Sequence, residues 1–460
     1  MQSLNSQKLT KSIEYVDKWI AINFKNGRLP GLQVAIQYED TIMYSKAFGY
    51  ANIDKKAALT AKSIFRIASQ SKTFTATAIF QLVELGKIAL DNKVSDYLDW
   101  FKSSEDERVS DVTLRQLLNH TAGILRDGLD SDYWRLSHDF PKEDALREFV
   151  STSRLAYDSD TKFKYSNFGY GFLGLVIEQV SGLSYKKYME SNIINTLSLN
   201  STGSDIDEEA LKFIAEGYGL ELFHTKRKAF AHAHTYALSP ATGFYSTAED
   251  VCRYFSAHFL GNNLLLKDAS KRQMQHGYWE AKEDGEKYGL GMIKYPKKGW
   301  NLFGHSGGFP GFVTNTQFEP QKKLVVSVFI NSSDGNPTMV AKQIIGIIDT
   351  FQQDTDTIKL PFEDIEKFEG TFYANWGATD IVAVGKKLFS INPLGWSGFD
   401  TAEELIVKDK NTLYIENASG YSAPGESVTY TFDAGNQVKS LRYGGGTLLK
   451  YDDAVKQGWL

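Results

Sequence analysis

The stretch Ile64-Phe65-Arg66-Ile67-Ala68-Ser69-Gln70-Ser71-Lys72, followed by Phe74, Ala76, Ala78, Ile79, Leu82, Val83 and Leu85, decides how this chain is read. The apolar density after Lys72 predicts a buried helix that starts near Ser69. Ser69 and Lys72 are three residues apart, and on a helix that spacing puts both side chains on one face. A serine hydroxyl is a poor nucleophile until a base takes its proton, and a lysine can be that base only where burial or positive charge lowers its pKa from about 10.4. The helix start adds backbone N–H groups that favour developing negative charge. An N-cap serine followed by a solvated lysine has the same spacing, so these residues alone leave both readings open.

Outward from this stretch, residues 7–24 carry Leu9, Ile13, Val16, Trp19, Ile20 and Ile22 at mostly helical spacing and predict an amphipathic helix. Leu32–Tyr38 and Thr41–Gly49, separated by Glu39-Asp40, predict an antiparallel hairpin. Helical patterns dominate residues 70–260, strand signals return at 300–303, 311–319 and 323–331, and residues 337–351 read as a last helix. The late strands can pair beside the early hairpin, which makes the first part an α+β domain: one antiparallel sheet flanked by helices, with a large helical insertion. After residue 356 about eight short strand-like runs follow, punctuated by Gly, Asn and Asp, and predict a separate all-β barrel or sandwich. The expected domains are therefore 1–356 and 357–460.

Two further elements can carry chemistry. Tyr165-Ser166-Asn167 sits on a loop that opens the apolar helix Phe172–Val180 and can present a phenol and an amide to one pocket. Phe303-Gly304-His305-Ser306-Gly307-Gly308-Phe309 reads as a strand that ends in a glycine cluster. There the backbone can approach a ligand, the N–H of Gly308 can pair with that of Ser69 as an oxyanion hole, and His305 would sit on the pocket wall. Tyr133, Trp134, Tyr236, Phe309 and Phe312 are candidates for an apolar cleft.

Taken in order, Ser69-x-x-Lys72, Tyr165-Ser166-Asn167 and His305-Ser306-Gly307 resemble the three-element active site of the penicillin-recognising serine hydrolases, a family of class C β-lactamases, D-Ala-D-Ala carboxypeptidases, D-aminopeptidases and esterases. Leu117-Leu118-Asn119-His120-Thr121-Ala122-Gly123-Ile124 and Ser239–Thr247 are similar to two further stretches of that family. The resemblance implies Ser69 as the acylated nucleophile, Lys72 as its activating partner and Tyr165 as a proton shuttle. It implies that Asn167 and His305 bind substrate or tune Tyr165, and that Ser69, Gly307 and Gly308 shape the oxyanion site. Histidine stands at 305 where efficient class C β-lactamases carry lysine, which points away from efficient penicillin hydrolysis. The last hundred residues resemble the lipocalin-like barrel that some peptidases of this family append. The implied enzyme cleaves an amide or ester through an acyl-enzyme, a peptidase in preference to an esterase. The appended barrel could shape the site's mouth or drive assembly into a homo-oligomer.

Composition excludes other classes. Apolar residues make up 42% and charged residues 23% of 460, with 51 basic against 56 acidic, a net charge of −5. That is globular, with no basic face for nucleic acid. No apolar run reaches the roughly 20 residues of a membrane helix, and the polar amino terminus carries no leader pattern, so the expectation is a cytoplasmic protein acting on a small molecule or short peptide. Cys252 has no cysteine partner in the chain. No cofactor is expected and, although His224, His232 and His234 lie close together, no metal either.

Overall fold

A computed structural model describes residues 3–222, 226–355, 357–362, 364–375, 377–417 and 423–460. The main helices are α1 (Ser6–Asn26), α2 (Ser71–Glu84), α3 (Leu114–Leu118), α4 (Asn167–Ser181), α5 (Ala248–Ser256) and α6 (Pro337–Phe351). Their ends follow local chemistry. The Ser166 hydroxyl accepts from the N–H of Gly169 at the start of α4, and Gly182 closes that helix at φ +73°.

A nine-stranded sheet is assembled from β1 (Gly31–Tyr38), β2 (Thr41–Asn52), β3 (Ala57–Ala58), β4 (Trp279–Glu280), β5 (Lys287–Tyr288), β6 (Ile293–Tyr295), β7 (Leu302–Phe309), β8 (Phe312–Glu319) and β9 (Leu324–Ile330). Their spatial order is β3-β2-β1-β9-β8-β7-β6-β5-β4. Each adjacent register is antiparallel, and β1 lies beside β9 with Leu32 opposite Ile330. The late strands thus close on the early hairpin, as the sequence pattern implies. β1 and β9 are buried along nearly their whole length, which explains why both read as continuous apolar runs rather than as alternation.

The expected strand end at the glycine cluster is not where the chain turns. β7 runs through His305, Ser306, Gly307 and Gly308 to Phe309, and the turn to β8 falls at Pro310-Gly311. Glycine is needed inside the strand. Gly304 has φ +153°, and a Cβ there would lie 1.9 Å from the Thr316 carbonyl oxygen.

After residue 369 eight strands form a closed antiparallel barrel, Tyr373 of the first facing Leu449 of the last. Phe368, Phe372, Leu388, Leu413, Val428 and Leu441 fill it. The contacts divide the chain into two units, one holding residues 29–341 and the other residues 4–28 with 342–460. In the second unit α1 packs by the Trp19 ring, 5.2 Å from that of Trp396, and Lys18 reaches the buried Asp380 carboxylate at 2.9 Å. The Asn23 amide bonds both the Pro393 carbonyl oxygen and the Trp396 N–H, each at 2.9 Å. Trp19 is 1% exposed, so Trp19→Ala should cost about 3–5 kcal/mol. The cost should appear as faster amide exchange in the barrel strand Lys387–Ile391 and the loop that follows it; unchanged exchange there would refute this packing role.

Candidate active site

Ser69 lies in the tight 3₁₀ turn Ala68–Gln70 that leads into α2. Ala68 takes φ +51°, a left-handed conformation rare outside glycine, which bends the chain between the short strand Phe65–Arg66 and the helix. The bend is tied down locally. The Ser71 hydroxyl donates to the Ala68 carbonyl at 2.6 Å and accepts from the Phe244 N–H at 3.0 Å.

One helical turn on, Lys72 has no exposed surface. Its Nζ stands 3.2 Å from Ser69 Oγ, 2.7 Å from Asn167 Oδ1 and 2.8 Å from the Ala241 carbonyl oxygen. Burial, and secondarily the Arg126 guanidinium, push its pKa well below the usual lysine range, with Asp127 pulling the other way. Two of the three elements read from sequence thus meet directly: Ser69-x-x-Lys72 supplies the hydroxyl and amine, and Asn167, the first residue of α4, supplies the amide.

Tyr165 is half-buried on the same side. Burial raises the pKa of its phenol, opposed by a hydrogen bond with Ser69 and by Arg126. Lys72 Nζ is 4.8 Å and the Arg126 guanidinium 4.9 Å from the centre of its ring, and the His120 imidazole packs at 4.1 Å. His120 Nδ1 accepts from the Ser166 N–H at 3.1 Å, so this imidazole props the loop carrying Tyr165. His120 came to notice through the Leu117–Ile124 likeness, with no role attached to it.

His305 turns inward. Its Nδ1 lies 2.6 Å from the Ser306 carbonyl oxygen and must donate to it, which leaves Nε2 to accept from the Tyr288 hydroxyl at 2.9 Å. Burial, with repulsion from Lys72, pushes its pKa down to about 3, so the ring is neutral. Both nitrogens are engaged within the protein. The Tyr288 partner had no signal in the sequence, because Tyr288 comes from β5, a two-residue strand.

β7 presses its small residues against the turn. A Cβ on Gly307 would lie 2.2 Å from the Ile67 carbonyl oxygen, whereas one on Gly308 would meet nothing within 4 Å. The register between β6 and β7 ends at Gly304, so residues 305–309 pair with β8 alone. Beside them, Trp134 and Phe140 pack on Phe309 at 6.0 and 5.8 Å, an aromatic wall of which the sequence reading named Trp134 and Phe309. Phe312 instead packs into the core against Phe65.

The residue that sequence reasoning missed is Asp127. Its Oδ1 accepts from Asn167 Nδ2 at 2.6 Å and from Trp134 Nε1 at 3.0 Å, and its Oδ2 from Arg126 Nε at 3.1 Å. Its only sequence signal is its position just after the Leu117–Ile124 stretch. Among the described residues no cluster of three His, Cys, Asp or Glu is placed to hold a metal; His224 lies outside them. Among those residues, too, no helix is long and apolar enough to cross a membrane.

The sheet, the inserted helices and a serine–lysine pair at the start of a buried helix define a β-lactamase-like fold. A family model described as Beta-lactamase matches residues 15–345. The chain belongs to this family, whose members are serine hydrolases. Among curated proteins it is 29% identical over 210 residues to "Protein flp" of Staphylococcus aureus (strain N315), a match spanning 46% of this chain and 42% of that protein. It is 28% identical over 302 residues to "Penicillin-binding protein 4*" of Bacillus subtilis (strain 168), spanning 59% of this chain and 62% of that one. The chain thus spans under half the length of the first of these relatives. Among solved structures, the octameric penicillin-binding protein homologue from Pyrococcus abyssi superposes with a TM-score of 0.63 at 24% identity, covering 96% of this chain and 99% of that one. Its coverage shows that the barrel belongs to the shared fold.

The contact of Gly307 with the turn yields a test. Gly307→Ala should push β7 away from Ile67 and slow fluorophosphonate labelling of Ser69 about 100-fold, since misplacement by about 1 Å at a reacting centre costs that much. A folded variant, checked by circular dichroism, that labels at the wild-type rate would show that β7 does not hold the site.

Proposed function

We propose that this protein hydrolyses an amide or ester bond through a Ser69 acyl-enzyme, with short peptides as the favoured substrates. The observation that carries the reading is the hydrogen-bond set of Lys72. The Ala241 carbonyl and Asn167 Oδ1 are obligate acceptors, so they take two N–H groups of Lys72. In the neutral amine only the lone pair is then left, and it faces Ser69 Oγ. Lys72 is thereby poised to take the Ser69 proton as Oγ attacks the substrate carbonyl carbon.

The carbonyl π electrons move onto the oxygen, and the N–H groups of Ser69 and Gly308 are the donors for that oxyanion. As the intermediate collapses, the scissile bond breaks and the Tyr165 phenol protonates the leaving group. The Lys72 ammonium restores the phenol's proton. Water then attacks the acyl-enzyme, giving its proton to the same pair, and Ser69 Oγ leaves as the hydroxyl. His305, neutral and held by Tyr288, acts as a wall rather than as a fixed cation for a substrate carboxylate. Residues 305–309, which among the described residues have no strand paired on the β6 side, offer backbone groups to an extended peptide, which supports a peptidase over an esterase. In chain terms we assign this activity to residues 1–356, in keeping with a family match that ends at 345, and the barrel of residues 357–460 to subunit assembly into a homo-oligomer.

The pH profile follows from the direction of the shifts. A Lys72 pKa well below 10.5 frees the amine at lower pH than an ordinary lysine's, so kcat/KM should rise with pH through that lowered value and level off. The raised Tyr165 pKa should keep the plateau from falling until pH exceeds the ordinary phenol value of about 10. Intact-mass spectrometry after exposure to a fluorophosphonate should show one adduct on wild type and none on Ser69→Ala. Panels of D- and L-terminal peptides and of short esters, compared by kcat/KM, then decide the substrate. An unlabelled wild-type protein would overturn the reading.

A further inference from the structure

A neutral amine that accepts a proton becomes a buried cation, and a buried cation needs a counter-charge. The three atoms that receive Lys72, a hydroxyl, an amide oxygen and a backbone carbonyl, are all uncharged. The charged and titratable groups around it are Arg126, Asp127, His120, His305, Tyr165 and Tyr170. Both histidines are held neutral by burial and both tyrosines are held as phenols. Arg126 has the same sign as an ammonium. Among these groups only Asp127 can balance it, and its side chain is 11% exposed and aimed at the far end of the Asn167 amide.

We infer that Asp127 is a positioning residue, which orients the Asn167 amide so that its oxygen faces Lys72 and supplies, across that amide, the counter-charge for the ammonium formed when Ser69 gives up its proton. The orientation argument is independent of charge. An asparagine amide has one accepting and one donating end, told apart only by partners. Here the carboxylate claims the donating end at 2.6 Å, so the accepting end meets Lys72 at 2.7 Å. A reversed amide would set a donor against the amine and an oxygen against the carboxylate. Trp134 Nε1 on Oδ1 and Arg126 Nε on Oδ2 hold the carboxylate in turn. Asp127 reaches Lys72 by two routes, the hydrogen bond to the Asn167 amide and its charge acting through space.

This inference rests on the acyl-enzyme reading for its purpose, but its test does not need turnover. Lysine Cε chemical shifts in 13C-lysine-labelled protein, with Lys72→Arg to assign the signal, report the titration of Lys72 directly. Asp127→Asn keeps an oxygen for the Asn167 and Trp134 donors while it removes the charge and the acceptor of Arg126 Nε. It should lower the Lys72 midpoint by about one pH unit or more, the span a close opposite charge produces, while Asp127→Glu restores most of it. In labelling by a fluorophosphonate, the acid limb of the Ser69 rate should move to lower pH with Asp127→Asn, and its plateau should fall about tenfold as the ammonium loses support. Asn167→Ala should shrink the effect of Asp127→Asn on both readouts to the part that charge exerts through space, because the orienting contact is gone. An unmoved Lys72 midpoint in a folded Asp127→Asn protein, or effects of the two substitutions that simply add, would overturn the inference. A moved midpoint in a protein whose Ser69 never labels would keep the inference and sink the acyl-enzyme reading instead.

Discussion

Removing an amine from water is costly, and Lys72 is removed completely. The arrangement that tolerates it is three polar atoms at 2.7, 2.8 and 3.2 Å, drawn from α4, from the segment before Phe244 and from its own helix turn. Much of the hydrolase unit can be understood from this constraint. α2 must be packed on all sides to exclude water from Nζ, and residues 71–80 are all buried. The chain at Ala68 must bend sharply so that Ser69 stands at the helix start and still faces the amine. α4 must begin where it does, since Asn167 is its first residue and the Ser166 cap fixes that beginning.

The second organising feature is the close approach of β7 to the turn holding Ser69. Backbone can lie this near to backbone only where side chains are absent, which is why glycine occupies 307 at 2.2 Å from the Ile67 carbonyl oxygen. Thr314 of β8 adds a hydroxyl that donates to the Ile67 carbonyl at 3.1 Å and accepts from Gln70 Nε2 at 2.8 Å. The sheet and the helical insertion are thereby locked together at the point where the chemistry is proposed to occur. Substitution of a histidine for a fixed cation on β7 changes what that wall can recognise, because a neutral ring with both nitrogens engaged has no charge to offer.

Much of this was legible from residues alone wherever the relevant partners are close in sequence or where periodicity encodes a face. The Ser69–Lys72 pair, the hairpin, α1, α4 and the eight barrel strands all belong to that class. The strand running through the glycine cluster was not legible, because glycine signals a turn unless one knows that another segment presses against it. Asp127 was not legible for a different reason. Its donors come from Asn167, Trp134, Tyr133 and Arg126, and nothing in the spacing of an Arg-Asp pair on a loop says that a helix start forty residues later will meet it.

By itself the sequence determined the local elements and the family to which their motifs belong, because backbone propensity, side-chain periodicity and the order of short motifs are properties of neighbours along the chain. Tertiary structure alone decided which surfaces meet. It pairs His305 with Tyr288 rather than leaving it to a ligand, groups α1 with the barrel rather than with the unit that follows it in sequence, and sets Asp127 behind Asn167. The physical reason is the same in each case. Hydrogen bonds and packing act over a few ångströms of space, and only the folded chain brings such distant residues within that range.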